Sequence, residues 1–290
     1  GAGKTTAIRM ILDMLARDNG EVLWNSEPLS TANCNIGYLA EERGLYPKYS
    51  LMDQLLYFAE LRGVPKEEAK ERIRYWAHRL EAEEYLYPPA PKAEAIGEKK
   101  KKTRKKAFKP KLADQLSKGN QQKVQLAQTL LTSPQLIFFD EPFSGLDPVN
   151  AQILKDVIKE QIQEGKFVIF SSHQMSYVEE FCDDIAILNH GDVVLSGNLK
   201  EIKREFGQDR LVLSSLGETP EELARRLQDD FSDLLDVEKV QKDRVIIRKK
   251  QEENKADILK RLVEQGVDLE YFGLYEPSLN DIFVEKAGDE

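Results

Sequence analysis

Residues 135–147 read QLIFFDEPFSGLD. Leu136 to Phe139 is an unbroken run of large apolar residues, of strand length and without polar alternation, so it predicts a strand buried on both faces. Two acids, Asp140 and Glu141, follow at its carboxyl end, which is where ligands gather in an open α/β sheet. A second strand pattern of the same kind, Phe167 to Phe170, comes after a helical stretch carrying Ile153, Leu154, Val157 and Ile158 on one face. Strand, helix, strand in this order implies a parallel sheet, and the fold class is α/β.

Upstream, the chain begins Gly1-Ala2-Gly3-Lys4-Thr5-Thr6, and apolar residues then recur with helical period at Ile8, Ile11, Leu12 and Leu15 until Asn19-Gly20 breaks the pattern. Gly3-Lys4-Thr5 opening a helix is the end of a P-loop. Backbone N–H groups and the helix N-terminus cradle phosphates, Lys4 reaches the β- and γ-phosphates, and the Thr5 hydroxyl ligates Mg²⁺. By itself this short match also fits a plain turn, since the first glycine of the loop pattern is missing; the chain is expected to be truncated inside that loop. With the acids of the buried strand the reading sharpens: Asp140 belongs in the Mg²⁺ shell and Glu141 polarises the attacking water.

Between these motifs, Asn35 to Leu39 reads as a short strand leading into a loop with Gly44 and Pro47. Two amphipathic helices follow, Leu51 to Arg62 and one after Pro65 with Ile73, Trp76, Ala77 and Leu80 on one face. Residues of about 45–132 thus form a helical subdomain, interrupted at 88–111 by three prolines and the basic run KKKKTRKKAFKPK. Downstream, Asp184 to Leu188, a turn at His190-Gly191-Asp192, and Val193 to Leu195 predict a hairpin. From about 208 the order strand, helix, strand, strand, helix, strand, helix indicates a small α+β domain of ferredoxin-like type over 208–290.

Leu116-Ser117-Lys118-Gly119-Asn120-Gln121-Gln122 precedes a helix that Ser117 and Asn120 are suited to cap, and such a glycine-containing cap is also an anion site. This stretch resembles the signature of ABC ATPases. Gly3-Lys4-Thr5 is similar to their Walker A, the strand ending in Asp140-Glu141 to their Walker B, Ser144-Gly145-Leu146-Asp147 to their D-loop, and Ser171-Ser172-His173 to their switch histidine. The resemblance covers residues 1–203. In detail, IGYLAEERGLYPK, LSKGNQQKVQ and DEPFSGLDPVN look like the ABC-2 branch, the ATP-binding subunits of bacterial sodium- and drug-export-like systems. The ending Pro277-Ser278-Leu279-Asn280-Asp281-Ile282-Phe283 is similar to the small C-terminal domain of that branch. Glu41 stands where most members have the Q-loop glutamine, Lys118 and Asn120 replace the commoner glycine and glutamine, and the adenine-stacking aromatic belongs upstream of residue 1.

The resemblance implies an ATP- and Mg²⁺-dependent ATPase with a P-loop NTPase core. Catalysis falls to Lys4, Glu141 and His173. Nucleotide contacts fall to Gly1, Ala2, Gly3, Lys4, Thr5, Thr6 and Glu41, and, across a pair of cassettes, to Ser117, Gly119 and Asp147. Mg²⁺ falls to Thr5, Asp140 and Glu41. The partners implied are a second ABC ATPase subunit, identical or different, and an integral-membrane permease at the cytoplasmic face of the membrane, where this subunit is peripheral. The alternative is an ABC ATPase that acts on ribosomes or DNA. Such members carry two cassettes or a long heptad coiled coil, whereas this chain shows one cassette and no sustained heptads.

Composition agrees. The longest apolar runs are far short of the roughly 20 residues of a membrane span. The net charge of −9 argues against a general nucleic-acid surface, so no nucleic-acid partner is expected. Cys34 and Cys182 have neither metal-ligand nor CxxC spacing and read as ordinary thiols, and His78, His173 and His190 form no ligand pattern. The basic run is either a solvated insertion or a contact for anionic lipid or RNA. Deleting residues 99–110 is expected to leave ATPase activity near normal and to weaken sedimentation with anionic liposomes at low salt. Salt at 1 M, where the Debye length is about 3 Å, should mimic the deletion, and unchanged liposome binding marks the run as a solvated insertion.

Overall fold

The computed structural model describes residues 2–41, 44–87, 111–250 and 254–287. The basic insertion, apart from Lys111, lies outside them. The chain falls into two compact units, the first spanning Gly3–Gln174 and the second running on from Met175.

The first unit contains α1 (Lys4–Ile11), the short hairpin β1 (Leu23–Trp24) and β2 (Glu27–Pro28), and β3 (Ile36–Leu39). It continues with α2 (Leu51–Leu61), α3 (Lys66–Arg79), α4 (Glu83–Leu86), a 3₁₀ turn at Ala113–Gln115, α5 (Lys118–Leu130), β4 (Leu136–Asp140), α6 (Pro148–Gln163) and β5 (Phe167–Ser171). The expected parallel sheet is present, in the order β3-β4-β5. Leu136 pairs with Ile36 on one side and Phe167 on the other, and Asp140 lies opposite Ser171. Every residue of β4 is buried, as its unbroken apolar run requires. On β5, an outer strand of this sheet among the described residues, Phe167 and Ile169 share one face and are 62% and 38% exposed. The ring of Phe167 meets Trp24 edge-on, centroids 5.1 Å apart.

Helix α1 ends a turn earlier than its apolar spacing predicts. Ile8 is buried with Cys34, Leu136 and Phe138, but Met14 and Leu15 are exposed, so no burial carries the helix past Ile11. Asp13 turns the chain in the left-handed region at φ 58°, and the Arg17 guanidinium donates to the Met10 carbonyl at 2.6 Å. In the helical subdomain the predicted face of α3, Ile73, Trp76, Ala77 and Leu80, is buried throughout. Gln54 on α2, itself buried, donates to the carbonyls of Tyr46 and Tyr49, both at 3.0 Å, and accepts from the Tyr46 amide at 2.7 Å, which ties the preceding loop to the helix.

The second unit contains α7 (Met175–Phe181), the hairpin β6 (Asp184–Asn189) and β7 (Asp192–Asn198), α8 (Leu199–Gly207), β8 (Arg210–Ser215), α9 (Pro220–Asp230), β9 (Leu235–Val240), β10 (Val245–Lys249), α10 (Lys255–Glu264), β11 (Leu269–Leu274) and α11 (Leu279–Ala287). Strands β8 to β11 form an antiparallel sheet in the order β11-β8-β10-β9, the ferredoxin-like arrangement, with Leu223, Leu227, Ile258 and Leu262 of the two helices α9 and α10 packed on one face. A capping box starts α9: the Thr219 hydroxyl accepts from the Glu222 amide, and the Glu222 carboxylate accepts from that of Thr219. The boundary expected between 203 and 208 lies inside this unit. Leu279 and Ile282 of α11 share a core with Ile185, Ile187, Leu199 and Ile202. Arg210, 8% exposed, donates to Glu238, Glu285 and the Phe206 carbonyl, joining β8 to β9, α11 and α8.

Solvent does not reach Phe138, at the centre of β4. Phe138→Ala is expected to cost about 3 to 5 kcal/mol, read as a lower urea midpoint at an unchanged m-value. A loss below about 1 kcal/mol would be inconsistent with β4 as the central strand, given the cost of emptying a filled core position.

Candidate active site

The ladder between β4 and β5 runs one residue past β4. The Glu141 amide donates to the Ser171 carbonyl at 3.0 Å, and Glu141 itself sits in the left-handed region at φ 48°. An L-residue there costs about 1 to 2 kcal/mol, and such strain collects at functional sites where the surroundings over-determine it. This backbone turns the Glu141 carboxylate into a cluster assembled from three elements. Glu141 Oε1 lies 3.4 Å from Lys4 Nζ, at the start of α1. Glu141 Oε2 lies 2.8 Å from His173 Nδ1 and accepts from the Ser172 hydroxyl at 3.4 Å, both just past β5. The Ser172 hydroxyl in turn accepts from the Gln174 amide at 3.0 Å, which holds the turn carrying His173.

Asp140 is fully buried. One of its oxygens accepts from the Ser171 hydroxyl; the other, Oδ2, is buried with no hydrogen-bond partner. The buried Tyr38 hydroxyl on β3 lies beside Asp140 and Arg9, and burial, followed by the Asp140 charge, pushes its pKa up. Two buried carboxylates at one strand end, faced by a lysine and a histidine, form an anionic centre with a free ligand atom. The expected Lys4, Asp140, Glu141 and His173 thus come together. Thr5 is half-buried and Thr6 exposed on the first turn of α1, with Ala2 and Gly3 leading into it, and Gly1 lies outside the described residues. Glu41 leaves β3 at the same sheet edge, two residues past Leu39, which pairs with Phe139. It is exposed and makes no hydrogen bond or ion pair among the described residues.

Ser117, Gly119 and Asp147 form a second group. Ser117 caps α5, its hydroxyl accepting from the Asn120 amide at 3.3 Å. Asp147 caps α6, accepting from the amides of Val149 and Asn150 at 3.1 Å, and these bonds, that of Asn150 first, hold its carboxyl below the usual range. The two caps interlock. A Cβ on Gly119 would come within 2.8 Å of Asn150 Nδ2, and one on Gly145, at φ 69°, within 2.6 Å of Lys118 Nζ. Both glycines therefore leave room for a side chain of the other segment. Among the described residues no hydrogen bond or ion pair joins Ser117 or Gly119 to the Lys4–Glu141 cluster. Sequence gives no role to Ser171, which orients Asp140, or to Asn150, which packs on Gly119. Only the strand register and the helix contact reveal them.

The family model described as ABC transporter matches residues 1–144. That of the ATP-binding protein DrrA1-3-like C-terminal domain matches residues 197–287. An ABC transporter ATP-binding protein of Alkalihalophilus pseudofirmus is 38% identical over 290 residues, 99% of this chain and 97% of that one. YhaQ of Bacillus subtilis, also an ABC transporter ATP-binding protein, is 40% identical over 289 residues, 99% of this chain and 87% of its own length. A solved structure of an ATP-binding subunit of an ABC transporter covers 71% of the chain and 78% of its own, with a TM-score of 0.57 and 27% identity. Its motifs in order, its clustered site and its near full-length relatives agree: the chain belongs to the ATP-binding proteins of ABC transporters, which bind and hydrolyse ATP.

Proposed function

We propose that this subunit powers export through a separate membrane permease by hydrolysing ATP in sites that two cassettes build together. The observation that carries the reading is the Glu141 carboxylate set between Lys4 and His173, beside a buried, unbonded Asp140 oxygen. In this reading Lys4 holds the β- and γ-phosphates, Glu141 orients and polarises the attacking water, and His173 steadies Glu141 and faces the γ-phosphate. Gly1 to Thr6 wrap the phosphates, with Glu41 as a further contact. Phosphoryl transfer asks mainly for such positioning and charge stabilisation.

The donor set fits Mg²⁺. This ion takes oxygen ligands and is bound through one or two carboxylates plus substrate phosphates. The free Asp140 oxygen and the Thr5 hydroxyl supply that kind of ligand, with Glu41 at the same sheet edge. Among the described residues no three His, Cys, Asp or Glu gather as a protein-only metal cage, which a phosphate-bridging ion does not need. When bound, the ion neutralises charge on the β- and γ-phosphates.

Ser117, Gly119 and Asp147 serve the site of the second cassette. Support comes from the exposure of Ser117 and Asp147; among the described residues no hydrogen bond or ion pair joins either to the cluster of its own chain. The ATP-binding domain is taken as 1–203 and the accessory domain as 208–290; the second family match, starting at 197, supports the division, which is one of function and cuts across the packed unit beginning at Met175. No helix among the described residues is long and apolar enough to cross a membrane, so in this reading the permease supplies the membrane contact, at the cytoplasmic face. The match to a DrrA-like C-terminal domain favours the ABC-2 export branch over ribosome- or DNA-acting members.

Glu141→Gln removes the charge but keeps the shape. It is expected to lower kcat for ATP by at least about 100-fold while ATP still binds and stabilises a dimer; turnover at the wild-type rate would dismiss Glu141 as the group acting on water. The shared site is tested by mixing. Lys4→Ala and Ser117→Arg, each inactive alone, should regain activity together, since one of the two heterodimer sites keeps both intact halves. Heterodimers that form and stay inactive would rule out sharing.

A further inference from the structure

We propose that Tyr85 is a positioning residue for ATP hydrolysis, holding the Ser117 turn in shape through Asn120. The proposal rests on the reading of Ser117 and Gly119 as the phosphate-facing turn.

Asn120 is engaged twice. Its amide donates to the Ser117 hydroxyl at 3.3 Å, and its side-chain Nδ2 donates to the Tyr85 hydroxyl at 2.7 Å. The first turn of a helix has N–H groups without intrahelical partners, and the bond to Ser117 satisfies one of them while setting the direction of that hydroxyl. Asparagine is a poor helix former whose side chain competes for nearby backbone groups. Held by Tyr85, the Asn120 side chain is withdrawn from that competition, and the turn around Ser117 keeps one arrangement. The link runs from Tyr85 through Asn120 to the Ser117 hydroxyl.

Tyr85 is itself held in place. Helix α4 is a single turn and cannot orient a side chain by its own stability. The Lys111 ammonium lies over the Tyr85 ring, 4.6 Å from its centroid. The Lys111 carbonyl accepts from the Leu51 amide at 3.2 Å, and the next residue, Leu112, bridges to Ser50, the cap of α2. The ring is thus tied to the start of α2 as well as to α5. Burial, with the neighbouring Glu84 carboxylate, pushes the Tyr85 phenol up to about 12, so near neutral pH it keeps its proton and meets Asn120 as a neutral hydroxyl. The asparagine that replaces the commoner glutamine of the signature has its own partner here.

The test uses steady-state ATP hydrolysis and thermal unfolding of the whole chain. Tyr85→Phe removes only the hydroxyl and keeps the ring over Lys111. Expected is a fall in kcat/KM for ATP of about three- to tenfold, the size that one net hydrogen bond supports, carried mainly by a higher KM, with a thermal midpoint lower by no more than about 4 °C. Asn120→Ala should do the same, and the double variant should be no worse than either single one, since both break one link. Unchanged kcat/KM in Tyr85→Phe, a lower thermal midpoint with unchanged kcat/KM, or additive losses in the double variant would each overturn the proposal. Wild type and Glu141→Gln are run beside them. Wild-type protein with a complete phosphate-binding loop but without activity overturns the underlying reading of the site, whereas an active wild type with an unaffected Tyr85→Phe overturns the role of Tyr85 alone.

Discussion

Burying an ionised carboxylate costs several kcal/mol unless partners replace its water, and the first unit buries two in succession, Asp140 and Glu141. The surrounding fold supplies the replacement. The Ser171 hydroxyl answers one Asp140 oxygen, and Lys4, Ser172 and His173 answer Glu141. These groups come from the start of α1 and the end of β5, so both must reach the end of β4. The parallel register that sets Asp140 opposite Ser171 does this for β5, and the packing of Ile8 against Leu136 and Phe138 does it for α1. The left-handed backbone of Glu141 is sustained by the same contacts, since its amide and both carboxylate oxygens are held. What remains unanswered is one Asp140 oxygen.

The second group of functional residues is organised by fit more than by charge. Gly119 and Gly145 each lack a Cβ where the other segment places a long side chain, Asn150 against the first and Lys118 against the second. The caps of α5 and α6 therefore hold one another at a fixed distance. The two positions where this chain departs from the usual signature, Lys118 and Asn120, are the ones with contacts of their own, to Gly145 and to Tyr85. Both departures thus have partners within the chain.

In the second unit the antiparallel sheet packs one face on α9 and α10, while α11 shares a separate apolar core with the β6–β7 hairpin and α8. Arg210 lies between the two cores and pairs with carboxylates on β9 and α11. Removing one partner of such a group leaves the others uncompensated, which couples the C-terminal helix to β8 and β9, while the shared apolar core couples it to Ile185, Ile187, Leu199 and Ile202. The compact unit therefore begins before the segment that resembles an accessory domain.

Much of the fold and most of the candidate site were legible in the amino-acid order, because their physical requirements are local. An unbroken apolar run has to be a doubly buried strand, acids at its end sit where α/β sheets bind ligands, and a glycine-lysine-threonine opening a helix presents N–H groups and a cation to phosphate. Helix faces such as Ile73 to Leu80, and the alternation of strands and helices in the tail, are likewise written in residue periodicity. Other features depend on pairs far apart in the chain, and no local pattern carries them. The early end of α1 follows from a lack of burial for Met14 and Leu15. The exposure of Phe167 and Ile169 follows from which face of β5 the packing leaves uncovered. The bonds from Ser171 to Asp140, from Tyr85 to Asn120 and from Arg210 to Glu285 join groups whose meeting is set by register and packing. Periodicity determined which residues had to be buried, and short motifs which ones were candidates for the site; only the tertiary structure decided which partner each buried polar group would find, since that choice is made by whatever the fold brings within hydrogen-bond reach.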